Sequence, residues 1–194
     1  MTVFRIPNEF YPTPPEATRA LLSVEPFDGS IWEPACGDGA IARELLRSGH
    51  SVVATDLHDY GFGLPGIDFL QETKARAKHI VTNPPYGSGL ADSFVEHALR
   101  LAAETGGLVA MLLNLASLCH QFRTPWWKQH APTRIYAIDS IVCWPTDRHG
   151  PAPEYFKRHR YCWAVWKPGH QGPPAFWWLA SADFRPVAPD QLAA

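Results

Sequence analysis

Residues 83–86 read Asn-Pro-Pro-Tyr and follow a short apolar run, Ala77 to Thr82. An amide side chain, two carbonyls on rigid prolines and an aromatic ring at a strand end suit one task. They can hold a planar group carrying an exocyclic NH2 while its nitrogen attacks an electrophile. Such a nitrogen is a poor nucleophile because its lone pair is delocalised into the ring. Accepting hydrogen bonds from both N–H groups draws electron density back onto it. The Asn83 side-chain carbonyl and the Pro84 backbone carbonyl are the acceptors. Pro84 and Pro85 fix φ and contribute no N–H donors. Tyr86 offers a ring face for stacking, worth about 1–3 kcal/mol for a base. The plainer alternative is a double-proline turn, with Asn83 as a turn residue and Tyr86 packed below.

A second set lies upstream. Glu33-Pro34-Ala35-Cys36-Gly37-Asp38-Gly39 falls between an expected strand and helix. Glycines there let backbone pass close to a ligand, and a helix N-terminus offers free N–H groups. Ala42 stands where a third glycine would complete a dinucleotide fingerprint. Asp56 ends the next strand about 20 residues on, where a carboxylate suits both hydroxyls of a ribose. Asp68-Phe69 could hydrogen-bond and stack on an adenine. Each has a plainer reading: a tight turn, a solvated cap, a core Phe beside a surface Asp. No phosphate-loop lysine follows the glycines, which argues for a nucleoside ligand over a triphosphate.

In this order, E-P-A-C-G-D-G, T-D-L and N-P-P-Y resemble the class I S-adenosylmethionine-dependent methyltransferases, specifically the DNA adenine-N6 type. F-Y-P-T-P at Phe10 to Pro14 is similar to that family's N-terminal cofactor motif. The resemblance implies a Rossmann-like, doubly wound, mixed seven-stranded α/β sheet with helices on both faces and an antiparallel last strand, Trp163–Trp166. It implies S-adenosylmethionine as cofactor. Tyr11 and Thr13 would approach the methionine portion, Glu33, Pro34, Ala35, Gly37, Gly39 and Leu57 would line the cofactor, Asp56 would meet its ribose, and Asp68 and Phe69 its adenine. Asn83, Pro84, Pro85 and Tyr86 would carry the catalytic role, with Asn83 also bordering the cofactor. Thr13 has a rival reading as a helix cap, and Glu33 as a residue that orders its loop.

These residues need elements to position them. Thr13 and Glu16 have capping-box spacing, with Pro14 at the first helical position of a helix to about Ser23. Strands are expected over Ser30–Cys36, Ser51–Thr55, Lys78–Thr82, Gly107–Asn114, Ile135–Val142 and Tyr161–Trp166, with a weaker one at Ile67–Leu70. The Gly107–Asn114 run is almost wholly apolar, as in a central parallel strand. Helices are expected from Ala40 to Ser48, through Ala91, Phe94, Val95, Ala98 and Ala102, and from Thr124 to His130. Alternating strands and helices argue for a doubly wound sheet. After Lys167 the pattern is proline-rich and lightly ordered, with Phe176, Trp177 and Trp178 packing on the body.

The 194 residues suit one α/β domain, and the net charge of -2 means that any nucleic-acid surface must be local. The four cysteines have no metal-ligand or disulfide spacing and read as reduced core thiols. The histidines are scattered, so no metal site is expected. No apolar run spans a membrane and the first residues lack a signal-peptide pattern, so a cytoplasmic protein is expected. Adenine in DNA, adenine in RNA and a protein glutamine amide all fit Asn-Pro-Pro-Tyr. Only about 30 residues precede Ile31, too few for the helical domain that glutamine-modifying members usually carry. The preferred partner is DNA, presented through the segment 144–160, where Arg148, Lys157, Arg158 and Arg160 alternate with Trp144, Tyr155 and Phe156. A solvated basic loop is the simpler account of that segment. No target-recognition domain is evident, so short or relaxed sequence specificity is expected, or a specificity partner that supplies it, with a homodimer also open.

Overall fold

The computed structural model describes residues 6–185; the residues up to Arg5 and from Pro186 lie outside that range, with the extreme N-terminal part of the signal-peptide reading and the end of the tail. Seven strands form one sheet: β1 Ile31–Glu33, β2 Val52–Ala54, β3 His79–Thr82, β4 Val109–Asn114, β5 Arg134–Ile138, β6 Tyr161–Trp166 and β7 Ala175–Leu179. Their order is β2-β1-β3-β4-β6-β5-β7. Neighbours are parallel except around β6, which runs antiparallel to both β4 and β5. This is the Rossmann-like mixed sheet that the motifs implied, with the antiparallel strand where it was expected.

The described residues form five α-helices: α1 Pro15–Val24, α2 Ala40–Arg47, α3 Leu90–Thr105, α4 Thr124–Gln129 and α5 Thr146–His149. The period of two along β4 divides the core. Ala110 and Leu112 point to one face, against Ala17, Leu21, Ile41 and Leu45 of α1 and α2. Val109, Met111 and Leu113 point to the other, against Phe94, Val95, Ala98 and Leu101 of α3. A third, smaller cluster joins Ile6 and Phe10 to Trp144 and Phe156, away from both faces.

Four expectations are corrected. The helix α1 is capped by Pro14, with Pro15 in the first turn and no side-chain cap, so Thr13 and Glu16 form no capping box. Residues 67–70 form no strand; Phe69–Gln71 is a single 3-10 turn whose first N–H groups are met by Asp68. The tail holds a full strand: β7 pairs in parallel with β5 over five residues, placing Phe176, Trp177 and Trp178 on the sheet edge. Three cysteines are buried free thiols, but Cys119 is exposed.

Candidate active site

Strand β3 ends at Thr82, so Asn83 leaves the sheet at the carboxyl end of a central parallel strand, where open α/β sheets place ligands. The two prolines carry the chain outward, and the next two N–H groups, of Tyr86 and Gly87, are both taken by one oxygen of Glu9, at 2.5 and 2.6 Å. The Asn83 amide donates from Nδ2 to the Tyr11 carbonyl at 3.0 Å. That bond fixes which end of the amide is the acceptor. Its oxygen accepts from the Tyr86 hydroxyl at 2.6 Å, and an amide oxygen retains a second lone pair for an incoming N–H. The Tyr86 hydroxyl also lies 2.8 Å from the Leu112 carbonyl. One proton cannot serve both acceptors, so it is shared or exchanged between them. Burial pushes the Tyr86 phenol well above its ordinary range. Tyr86 is therefore anchored at its hydroxyl, while its half-buried ring borders the cavities on either side.

On one side lies a cavity of about 340 Å3, a volume suited to a small ligand. Its wall contains Tyr11, Thr13, Glu33, Pro34, Ala35, Gly37, Asp56, Leu57, Asp68, Phe69 and all four residues of Asn83–Tyr86. Thr13, released from capping, is 3% exposed and faces this space. Asp56 accepts from the Gly37 N–H and the His58 N–H, each at 2.8 Å, which fixes the carboxylate at the strand end and leaves lone pairs free. Asp68 borders the cavity while accepting from the Leu70 N–H. Phe69 is only 2% exposed, edge-on to Trp32 and packed on Phe94, so it forms the cavity floor more than an open stacking face.

Gly39 does not reach the cavity. It caps α2 in the left-handed region (φ 86°), and a Cβ there would lie 2.5 Å from the Phe62 ring. Gly37 is the glycine that matters for the site. Its φ is +53° and a Cβ would meet Phe10 at 2.9 Å.

Glu33 is the unusual group. It is 1% exposed, and its Oε2 has no hydrogen-bond partner. Asp38 Oδ1 is likewise buried and unpartnered. Desolvation first, opposed by a hydrogen bond from the Ala42 N–H and reinforced by the charges of Asp56 and Asp38, holds the Glu33 carboxyl well above its ordinary range. A buried acid with one oxygen unpartnered, lining a cavity, has room for a further donor or a cation. The same surroundings push the Cys36 thiol up to about 12, which leaves it inert.

On the other side of Tyr86 a second, more open cavity of about 790 Å3 is lined by Tyr155, Phe156, His159 and Tyr161, by Asn114, and by Phe122 and Arg123. Glu9, Tyr11 and Tyr86 border both cavities. The segment 144–160 is thus brought to the site, but its aromatic residues, not its cations, line the cavity. Arg148 sits 4.6 Å over the Phe10 ring. Lys157 pairs with Glu154 at 2.6 Å, and Arg160 donates to the Lys157 and His159 carbonyls. Arg158 is exposed. Sequence reasoning missed Glu9, Asn8 and Tyr60, which stacks on Phe10 at 4.5 Å. Nothing local distinguishes Glu9 from a surface glutamate; its partners lie 77 and 78 residues away. Among the described residues no cluster of metal-ligating side chains occurs and no helix is long and apolar enough to cross a membrane.

No protein-family model and no curated protein matches the sequence. Solved structures do match. A proposed class I S-adenosylmethionine-dependent methyltransferase from Listeria monocytogenes is 16% identical, with a TM-score of 0.61 over 90% of this chain and 67% of its own. A proposed RNA methyltransferase from Pyrococcus horikoshii is 16% identical, with a TM-score of 0.62 over 87% of this chain and 93% of its own. A TehB-like S-adenosylmethionine-dependent methyltransferase from Corynebacterium glutamicum is 15% identical, with a TM-score of 0.51 over 79% and 87%. The chain has the class I methyltransferase fold. Within that fold, the cavity of Glu33, Asp56 and Asn83 lies at the carboxyl ends of β1, β2 and β3. The second cavity lies beyond the Asn83–Tyr86 turn.

Proposed function

We propose that the chain transfers a methyl group from S-adenosylmethionine to the exocyclic N6 of an adenine in DNA, with the base rotated out of its stack. The observation that carries this reading is the Asn83–Tyr86 turn, a wall between two cavities, with its acceptor oxygen oriented by the Tyr11 carbonyl.

The smaller cavity fits the cofactor on three counts. The orphaned Glu33 oxygen meets its positive charge, Asp56 suits its ribose, and Gly37, at positive φ against Phe10, keeps this part of the cavity wall free of a side chain. When bound there, the cofactor supplies a sulfonium methyl, an electrophile already activated. The protein's residues do the rest. Asn83 Oδ1 and the Pro84 carbonyl accept the two N–H bonds of the amine and orient its lone pair. The prolines offer no donor that would compete. The Glu9 and Tyr11 contacts hold the turn, so that rate comes from alignment and from excluding water. Transfer would form the N–C bond at the cost of the cofactor's S–C bond and leave the nitrogen one proton to shed to solvent. A general base need not act before transfer.

The larger cavity supports an aromatic acceptor: five Tyr, Phe and His rings of the segment 155–161 and Tyr86 border it. A base extruded from a duplex is read this way. One structural neighbour, at 16% identity and a TM-score of 0.56, is the modification subunit of a proposed type I restriction enzyme from Vibrio vulnificus, of which this chain spans 46%. Labelled S-adenosylmethionine, offered separately with DNA, RNA and protein and followed by digestion, identifies the methylated unit. N6-methyladenine in DNA is expected; label in RNA or on glutamine overturns the acceptor. Asn83→Ala is expected to lower turnover at least about 100-fold, while calorimetry shows cofactor affinity within a few-fold of wild type.

A further inference from the structure

We propose that Phe122 is the wedge that enters the base stack of duplex DNA and holds open the gap left by the extruded adenine, an inference that rests on the reading above. Among the described residues Phe122 is one of the two most exposed large apolar side chains, at 78%. Its place is what gives that exposure meaning: it borders the acceptor cavity that Tyr86 also borders. A largely exposed ring beside an aromatic pocket, with His120 at 5.6 Å as a ring neighbour, gains by stacking between bases.

The ring stands on a rigid base. Its neighbour Arg123 is bonded to Asp92 and lies 5.5 and 5.2 Å from the Trp126 and Trp127 rings. Trp126 is tied to Glu96 and Trp127 to the Ser117 carbonyl, so the support reaches α3. These contacts tie down the turn that carries Phe122, whose own ring is in contact with His120 at 5.6 Å.

The charge around the mouth selects the partner. The chain as a whole carries -2, yet residues 115–130 contain Arg123 and Lys128 and no Asp or Glu, and residues 155–161 contain Lys157, Arg158 and Arg160 and no Asp or Glu. Both stretches contribute to the wall of the cavity, together with Glu9 and Asp92. Arg123 is paired with Asp92 and Lys157 with Glu154, so Lys128, Arg158 and Arg160 are the cations that remain to meet phosphates near the exposed ring.

Because the target sequence is unknown, the test uses unmethylated genomic DNA, which contains every short site, offered native and heat-denatured. For Phe122→Ala, methylation of native DNA is expected to fall at least about tenfold against wild type, with denatured DNA changed less than about threefold and cofactor affinity unchanged. Phe122→Trp is expected to retain the native activity. Equal losses on both forms, or no loss on native DNA, overturn the wedge. So does a wild type active only on denatured DNA or on RNA: the methylation chemistry then survives, but no stack needs opening. If wild type binds DNA without methylating any acceptor, the reaction assigned above fails. The wedge is then judged by affinity, where Phe122→Ala must weaken native DNA more than denatured DNA. A Phe122-dependent dimer in sedimentation overturns it in favour of a self-contact.

Discussion

Replacing Glu33 by Gln should make the free protein more stable and the binding site worse. The carboxyl is 1% exposed, one of its oxygens has no partner, and Asp38 and Asp56 are both close enough to oppose its ionisation. A buried polar atom left unsatisfied costs about 1–3 kcal/mol, and more if it is charged. The folded protein therefore holds this proton well above the value near 4.5 at which the unfolded chain releases it. Between those two values the unfolded state binds fewer protons, so stability falls as pH rises, at most by about 1.4 kcal/mol per unit. Glu33→Gln keeps the shape and removes the titration. In thermal unfolding without ligand, its midpoint should exceed that of wild type at pH 8 by a few degrees, for a gain of about 1 kcal/mol. The two should converge near pH 5. Calorimetry should show the opposite for S-adenosylmethionine. Losing a charge-assisted contact of about 1.5–3 kcal/mol weakens binding by roughly 10- to 150-fold. A variant that melts below wild type at pH 8 and binds the cofactor as well would refute the reasoning. It would mean that Glu33 is satisfied inside the protein and serves only to order its loop.

Two further outcomes concern contacts that span the fold. Glu9→Ala removes the acceptor of the Tyr86 and Gly87 N–H groups. Amide exchange across residues 86–88 should accelerate, and turnover should drop about 10- to 100-fold through misalignment, with partial recovery in Glu9→Gln; unchanged exchange would show that the turn stands without it. His79, buried in β3, accepts from the Leu108 N–H at Nδ1 and meets Asp28 at Nε2. Burial first holds its ring below the usual histidine range, against the pull of Asp28 and with help from Lys78 and His50. Stability is thus complete above about pH 6.5 and declines as pH falls towards the lowered value, where a proton on Nδ1 would confront the Leu108 N–H. The His79 contribution is the difference between wild type and His79→Gln in how the unfolding midpoint changes from pH 7.5 to 5.5, since Glu33 acts in the opposite direction and His97 and His159 in the same direction in both proteins.

What the amino-acid sequence determined by itself was local and periodic. The apolar run of β4 declared a buried central strand, and the spacing of Ala91, Phe94, Val95 and Ala98 declared the inner face of α3. Gly37 needed its positive φ, and Asp56 needed its place at a strand end; both follow from a few neighbouring residues. The Asn-Pro-Pro-Tyr turn was legible for the same reason, since prolines dictate φ wherever they occur. Tertiary structure alone decided matters that depend on where distant segments cross. Residues 175–179 read as tail because prolines flank them and their aromatics face outward; only the free edge of β5 made them a strand. Thr13 lost its expected cap because Pro14 took that place, and burial turned it to the cavity. Phe69 became a floor and Gly39 a packing residue because Trp32, Phe94 and Phe62 arrive from elsewhere in the chain. Glu9 acquired a role only when β3 ended beside it. Hydrogen bonds between residues more than 70 positions apart leave no periodic trace in sequence, because their geometry belongs to the packing of elements and not to any one of them.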